Sequence, residues 1–105
     1  MEKDDIYKQH ILDCIGRIEQ YVEGINRDRF ETDAKTQAAV VRELEIIGEA
    51  AKRLSAEFKV LIPAIPWKQV TGTRDRLIHD YISVDLDEVW NITNRDLPVL
   101  KQKLQ

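Results

Sequence analysis

The chain has 105 residues, 43% apolar and 33% charged, with 16 Lys and Arg against 19 Asp and Glu for a formal charge of −3. That is enough apolar material for one packed core and too little chain for a second folded unit. Its apolar runs are far shorter than the roughly 20 residues of a membrane helix, and no apolar stretch follows the charged start, so no membrane association and a cytoplasmic location are expected.

Four segments show helical spacing and none alternates like a strand. In the first, Tyr7, Ile11, Cys14, Ile18, Tyr21 and Ile25 step by fours and threes along one face. Asp4 or Asp5 would cap its start, and Asn26 with Arg27 and Asp28 would stop it. The second runs from about Asp33 to Phe58 on Val40, Leu44, Ile47, Ala51, Leu54 and Phe58. Thr32 or Asp33 supplies its cap, and Glu43, Glu45 and Glu49 read as a solvated face. Gly48 inside it costs about 1 kcal/mol against alanine, which close helix packing would explain.

Lys59 to Pro66, with Pro63 and Pro66, reads as a loop. A third helix is predicted from Trp67 to about Tyr81. After a turn at Ser83-Val84-Asp85, with Asp85 or Asp87 as cap, a fourth carries Leu86, Trp90, Thr93, Leu97, Leu100 and Leu104. Pro98 should kink or shorten it. The fold expected is an all-α, small antiparallel bundle of four main helices, one domain over residues 1–105.

The chemistry-bearing side chains are few. One cysteine, Cys14, makes neither an internal disulfide nor a cysteine zinc cluster, and the histidines are His10 and His79. No zinc-protease, dinucleotide or P-loop motif occurs, so neither metal nor cofactor is expected. On the third helix Val70, Leu77 and Tyr81 define a stripe whose missing member is Arg74. An arginine in a core stripe either snorkels, pairs with a carboxylate, or grips a phosphate or carboxylate ligand. His79 lies one turn after Asp75, which could orient its imidazole, and imidazole suits proton transfer near neutrality. His10 has no acid or nucleophile at helical spacing and reads as core edge or surface.

Arg74-Asp75-Arg76-Leu77-Ile78-His79-Asp80-Tyr81 resembles the Arg-x4-His-x-Tyr signature of the HEPN superfamily, and most closely that of its HepT-like ribonuclease toxins. The stretch Arg42 to Leu54, with Ile46-Ile47-Gly48-Glu49-Ala50-Ala51, is similar to the family's second helix, and the match spans nearly the whole chain. The resemblance implies a helical homodimer with the two motifs facing across a cleft. It implies metal-independent RNA cleavage by Arg74 and His79, with Asp75 supporting, and a minimal nucleotidyltransferase (MNT-type) antitoxin that AMPylates Tyr81. Lys68 and Arg76, with Arg74, are the basic residues that would meet RNA. A non-catalytic helical dimer binding a nucleotide or partner protein, and a purely structural assembly domain, remain as alternative readings.

Overall fold

The computed structural model describes residues 2–77 and 84–105, apart from the side chains of Arg74 and Arg76. The chain is all-α, with no strand among the described residues. Helix α1 spans Glu2–Tyr21 and α3 spans Ala34–Arg53. These two pack along each other and bury Ile11, Cys14, Ile15 and Ile18 against Val40, Leu44, Ile47 and Ala51. Burying aliphatic side chains of this size is worth about 1.5–3 kcal/mol each, which is why the four-and-three stepping decides which faces meet.

Between them the chain departs from expectation. Helix α1 ends at Tyr21, and Gly24 turns with φ 75, a conformation that costs other residues strain. Asn26 is a start signal rather than a stop: its side-chain oxygen accepts from the Arg29 N–H at 2.9 Å and opens a short helix, α2, Arg27–Thr32. That helix delivers Phe30, fully buried, against Trp90 at a ring separation of 5.1 Å. Asp33 caps α3 through Thr36, as the sequence suggested. Gly48 lies buried in α3.

Helix α3 does not reach Phe58. It stops at Arg53, and Ser55 caps a separate helix, α4, Ala56–Leu61, which occupies the start of the expected loop. Asp4 supplies the reason. Its carboxylate accepts from the Ser55 N–H at 2.8 Å and the Ser55 hydroxyl at 2.7 Å, so it ties α1 to the cap of α4 instead of capping its own helix. The Trp67 indole N–H then donates to the Lys59 and Ile62 carbonyls, both at 3.1 Å, and pins the proline-containing turn.

The C-terminal helix begins where expected, with Asp85 accepting from the Glu88 N–H at 3.0 Å. It comprises α7, Leu86–Asn91, a π-helical turn, Ile92–Asp96, and α8, Leu97–Leu104. Pro98 has no N–H for the Asn94 carbonyl, and the chain absorbs this by widening the preceding turn: the Leu97 N–H bonds the Ile92 carbonyl five residues back. The helix therefore continues past Pro98. Ile92 and Leu97 both face the core, and Leu100 and Leu104 follow.

Candidate functional site

Two short helices lead into the Arg74–Tyr81 motif, the second of them carrying its first residues. Helix α5 spans Trp67–Thr71 and α6 spans Thr73–Leu77, where the sequence predicted one uninterrupted helix. The break is at Gly72, whose N–H bonds the Lys68 carbonyl at 3.0 Å. A Cβ at Gly72 would sit 3.1 Å from that same oxygen, so glycine suits this close approach. Because the turn resets the helical register, the inward-facing residues are Thr73, 5% exposed, and Leu77, 1% exposed. They are four apart and fasten α6 against α3. The Thr73 hydroxyl also donates to the Gln69 carbonyl at 3.0 Å, linking the two helices.

Arg74 and Arg76 are the second and fourth residues of α6. Thr73 is buried directly before Arg74, whose side chain lies outside the described structure. Asp75 is exposed, as is Lys68 on α5. His79 and Tyr81 lie outside the described residues. His10 is on the surface, its ring edge-on to Tyr7 at 5.9 Å. Among the described residues, no three His, Cys, Asp or Glu side chains group into a metal site, and no helix is long and apolar enough to cross a membrane.

A groove of about 320 Å³ opens beside α6, between α3, α5 and the C-terminal helix. Leu44, Ile47 and Ile65 line its depth, Gln69 and Thr73 one part of its wall, and Arg95 and Lys103 another. The sequence reading missed it. Arg95, Val99 and Lys103 step by four along one helix ridge, a signal open to inspection, but what that ridge faces emerges only in the fold.

A second polar cluster corrects the sequence reading of Glu43, which is buried rather than part of a solvated face. Arg17 Nε donates to both its oxygens, at 3.1 and 3.0 Å, and the Tyr21 hydroxyl donates at 3.3 Å. Arg17 Nη2 reaches Cys14 Sγ at 3.3 Å. Burial pushes the Glu43 pKa up, but hydrogen bonds from Arg17 and Cys14 outweigh it, and the carboxyl titrates below its usual range. Burial, then the Glu43 carboxylate, push the Cys14 thiol up to about 11, while Glu43 raises Arg17 further above neutrality. A thiol protonated at neutral pH and a carboxylate already gripped by a guanidinium make no nucleophile and no base. The cluster joins α1 to α3; it is not a centre of chemistry.

Comparison with known proteins gives concordant results. The family model described as Ribonuclease HepT-like matches residues 11–105. A protein of Thermococcus cleftensis named "Probable ribonuclease HepT" is 43% identical over 99 residues, 94% of this chain and 90% of that one. A longer protein of Methanocaldococcus jannaschii, whose name joins a gamma-glutamylcyclotransferase to a "putative RNase", is 44% identical over 105 residues; the match takes in 99% of this chain and 47% of that one. A "Putative RNase" of Caldanaerobacter subterraneus is 40% identical over 100 residues, 94% of this chain and 88% of its own length. No solved structure matches.

Proposed function

Because the chain belongs to the HepT-like ribonuclease family, we propose that it cleaves RNA without a metal, using Arg74 and His79. The supporting observation is that the family match runs through the entire Arg74–Tyr81 motif, whose first residues stand on a helix fastened to the core by Thr73 and Leu77.

In such a reaction the 2′-hydroxyl loses a proton while it attacks the adjacent phosphorus, and the 5′-oxygen gains one as it leaves. One imidazole does not easily serve both steps at once. A homodimer with its motifs facing across a cleft supplies two His79 side chains, one as base and one as acid. It also supplies two Arg74 guanidinium groups for the charge that develops on the phosphoryl oxygens. The product is a 2′,3′-cyclic phosphate. Asp75, four residues before His79 in the chain, is a positioning residue for the imidazole, and Lys68 and Arg76 bind the RNA backbone.

The chain then acts as the toxin of a toxin–antitoxin pair, silenced by a nucleotidyltransferase antitoxin that transfers AMP to Tyr81. The added phosphate brings bulk and negative charge to a position seven residues along the chain from Arg74 and closes the site to RNA. The deciding experiment incubates RNA with wild type and His79→Ala in EDTA and identifies the product ends. Cleavage in EDTA with cyclic phosphate ends, absent from a His79→Ala dimer, supports the proposal. Full activity in His79→Ala overturns the mechanism, and nucleotide binding without cleavage by wild type assigns a binding module instead.

A further inference from the structure

The groove beside α6 has features that the motif alone does not account for. We propose that it is a nucleobase subsite, holding one base of the RNA strand against its aliphatic floor while Arg95 and Lys103 contact neighbouring phosphates. The inference rests on the ribonuclease reading and adds to it where the strand lies and which contacts select the position of cleavage.

Size is the first argument. About 320 Å³ is at the small end of the range for ligand clefts and suits one flat ring with part of its sugar. A stable protein interface covers about 800 Å² on each partner, far more than this groove offers by itself. Chemistry is the second. Above the closed floor of Ile47 and Ile65, Val99, which is 46% exposed, and the partly buried Val70 give an apolar surface for a ring face. The Gln69 amide can both donate and accept at a base edge. The Thr73 hydroxyl has committed its proton to the Gln69 carbonyl, leaving its oxygen as an acceptor.

Charge is the third argument. The chain carries −3 overall, yet the charged residues lining the groove are two cations and one anion. That anion, Asp96, is 3.6 Å from Arg95 Nε, so part of its charge is already matched. Lys103 Nζ rests on the Ala64 carbonyl at 3.0 Å, and Lys68 is exposed on the helix that carries Gln69. Location is the fourth: Thr73 lines the groove and directly precedes Arg74 in the chain, so the groove lies beside the segment on which the motif begins.

The test is binding, kept separate from cleavage. A fluorescent 2′-O-methyl RNA octamer, which has no attacking hydroxyl, is titrated at low salt into wild type, Val70→Trp, Arg95→Ser/Lys103→Ser and Val60→Trp. Val70 lines the groove, and the indole fills it. Val60, 73% exposed on α4, is the control for a bulky substitution elsewhere. Filling the groove should weaken binding about ten-fold, the loss of one base's apolar contact. Removing both cations should weaken binding and flatten its dependence on salt by about 1.4 in log–log slope, two phosphates for a single strand. Val60→Trp should match wild type.

Unchanged affinity in the Arg95→Ser/Lys103→Ser variant, whose substitutions are on the surface and spare the fold, overturns the inference. So does a wild type that does not bind the octamer. If wild type cleaves RNA while binding ignores the groove, the ribonuclease reading stands and the subsite falls. If binding depends on the groove but nothing is cleaved, the subsite stands and the catalytic reading falls.

Discussion

Arg17 and Glu43 are unequal partners, and the inequality makes an asymmetric prediction. The Glu43 side chain is 9% exposed and that of Arg17 is 46% exposed. Arg17→Met removes two short hydrogen bonds and the compensating charge, leaving a buried carboxylate held only by Tyr21 and Cys14. Breaking a fully enclosed pair this way costs about 3–5 kcal/mol. With half of Arg17 in water, screening and residual hydration bring the figure to about 1.5–3 kcal/mol. Glu43→Leu does the opposite: it removes the buried member and leaves a cation free to turn into solvent, for a loss under about 1 kcal/mol. The double variant should recover most of what Arg17→Met loses, a coupling of about 1–2 kcal/mol. Urea unfolding followed by circular dichroism at pH 7 reads this directly. At a slope of about 1–3 kcal/mol per molar, the Arg17→Met midpoint should fall by about 1 M and that of Glu43→Leu by less than half as much. Equal losses in the two single variants, or strict additivity in the double, would refute the reasoning.

Three further outcomes follow from the same contacts. The Ser55 N–H and hydroxyl hold Asp4 below the usual carboxylate range, and for Glu43 the bonds from Arg17 and Cys14 overcome the opposing effect of burial. Both folded values lie below the unfolded ones of about 3.9 and 4.3, so their stabilisation is complete above about pH 5 and disappears as pH falls through the folded values. The urea midpoint should stay level from pH 7 to 6 and drop toward pH 3, less steeply in Asp4→Asn; a midpoint unchanged down to pH 3 contradicts this. Cys14, fully buried and with its thiol pushed up to about 11, should react with an aromatic disulfide reagent at pH 7.5 on the order of several hundred-fold more slowly in the folded protein than in urea. Gly24→Ala, at φ 75 with open space around its Cβ, should cost about 1 kcal/mol through backbone strain alone and lower Tm by about 4–8 °C.

Apolar stepping was the most legible part of the sequence, because burial obeys helical geometry: the faces of α1, α3 and the C-terminal helix were all readable. Capping was legible where a side chain serves its own helix, as Asp33 and Asp85 do. It misled where the oxygen serves another element. Asp4 reaches 51 residues along the chain to Ser55, a pairing that no local pattern encodes. Glu43 read as surface because a buried glutamate is tolerated only with a partner, and its partner is on another helix. The Gly72 break went unseen because an isolated glycine in a helical pattern is common, and after it Thr73 and Leu77 are the buried residues. Of the candidate site, the motif residues stand out in the sequence by type and spacing, Lys68 and Asp75 are exposed, and the groove formed by elements distant in sequence was not legible at all.

The widened turn before Pro98 has a consequence for how chain length can vary. A π turn is an α-helix that has accepted one residue too many without rotating the faces on either side of it. Ile92 and Leu97, five apart, hold the core positions that residues four apart would hold in a regular helix. Removing a single exposed residue between them, such as Asn94, together with Pro98→Ala so that a regular turn can close, therefore leaves Val89, Ile92, Leu100 and Leu104 in phase. Removing one residue from the middle of α1 would instead turn half of its apolar face to solvent. The last helix thus contains a length-tolerant joint in a chain whose other long helices admit no change of register.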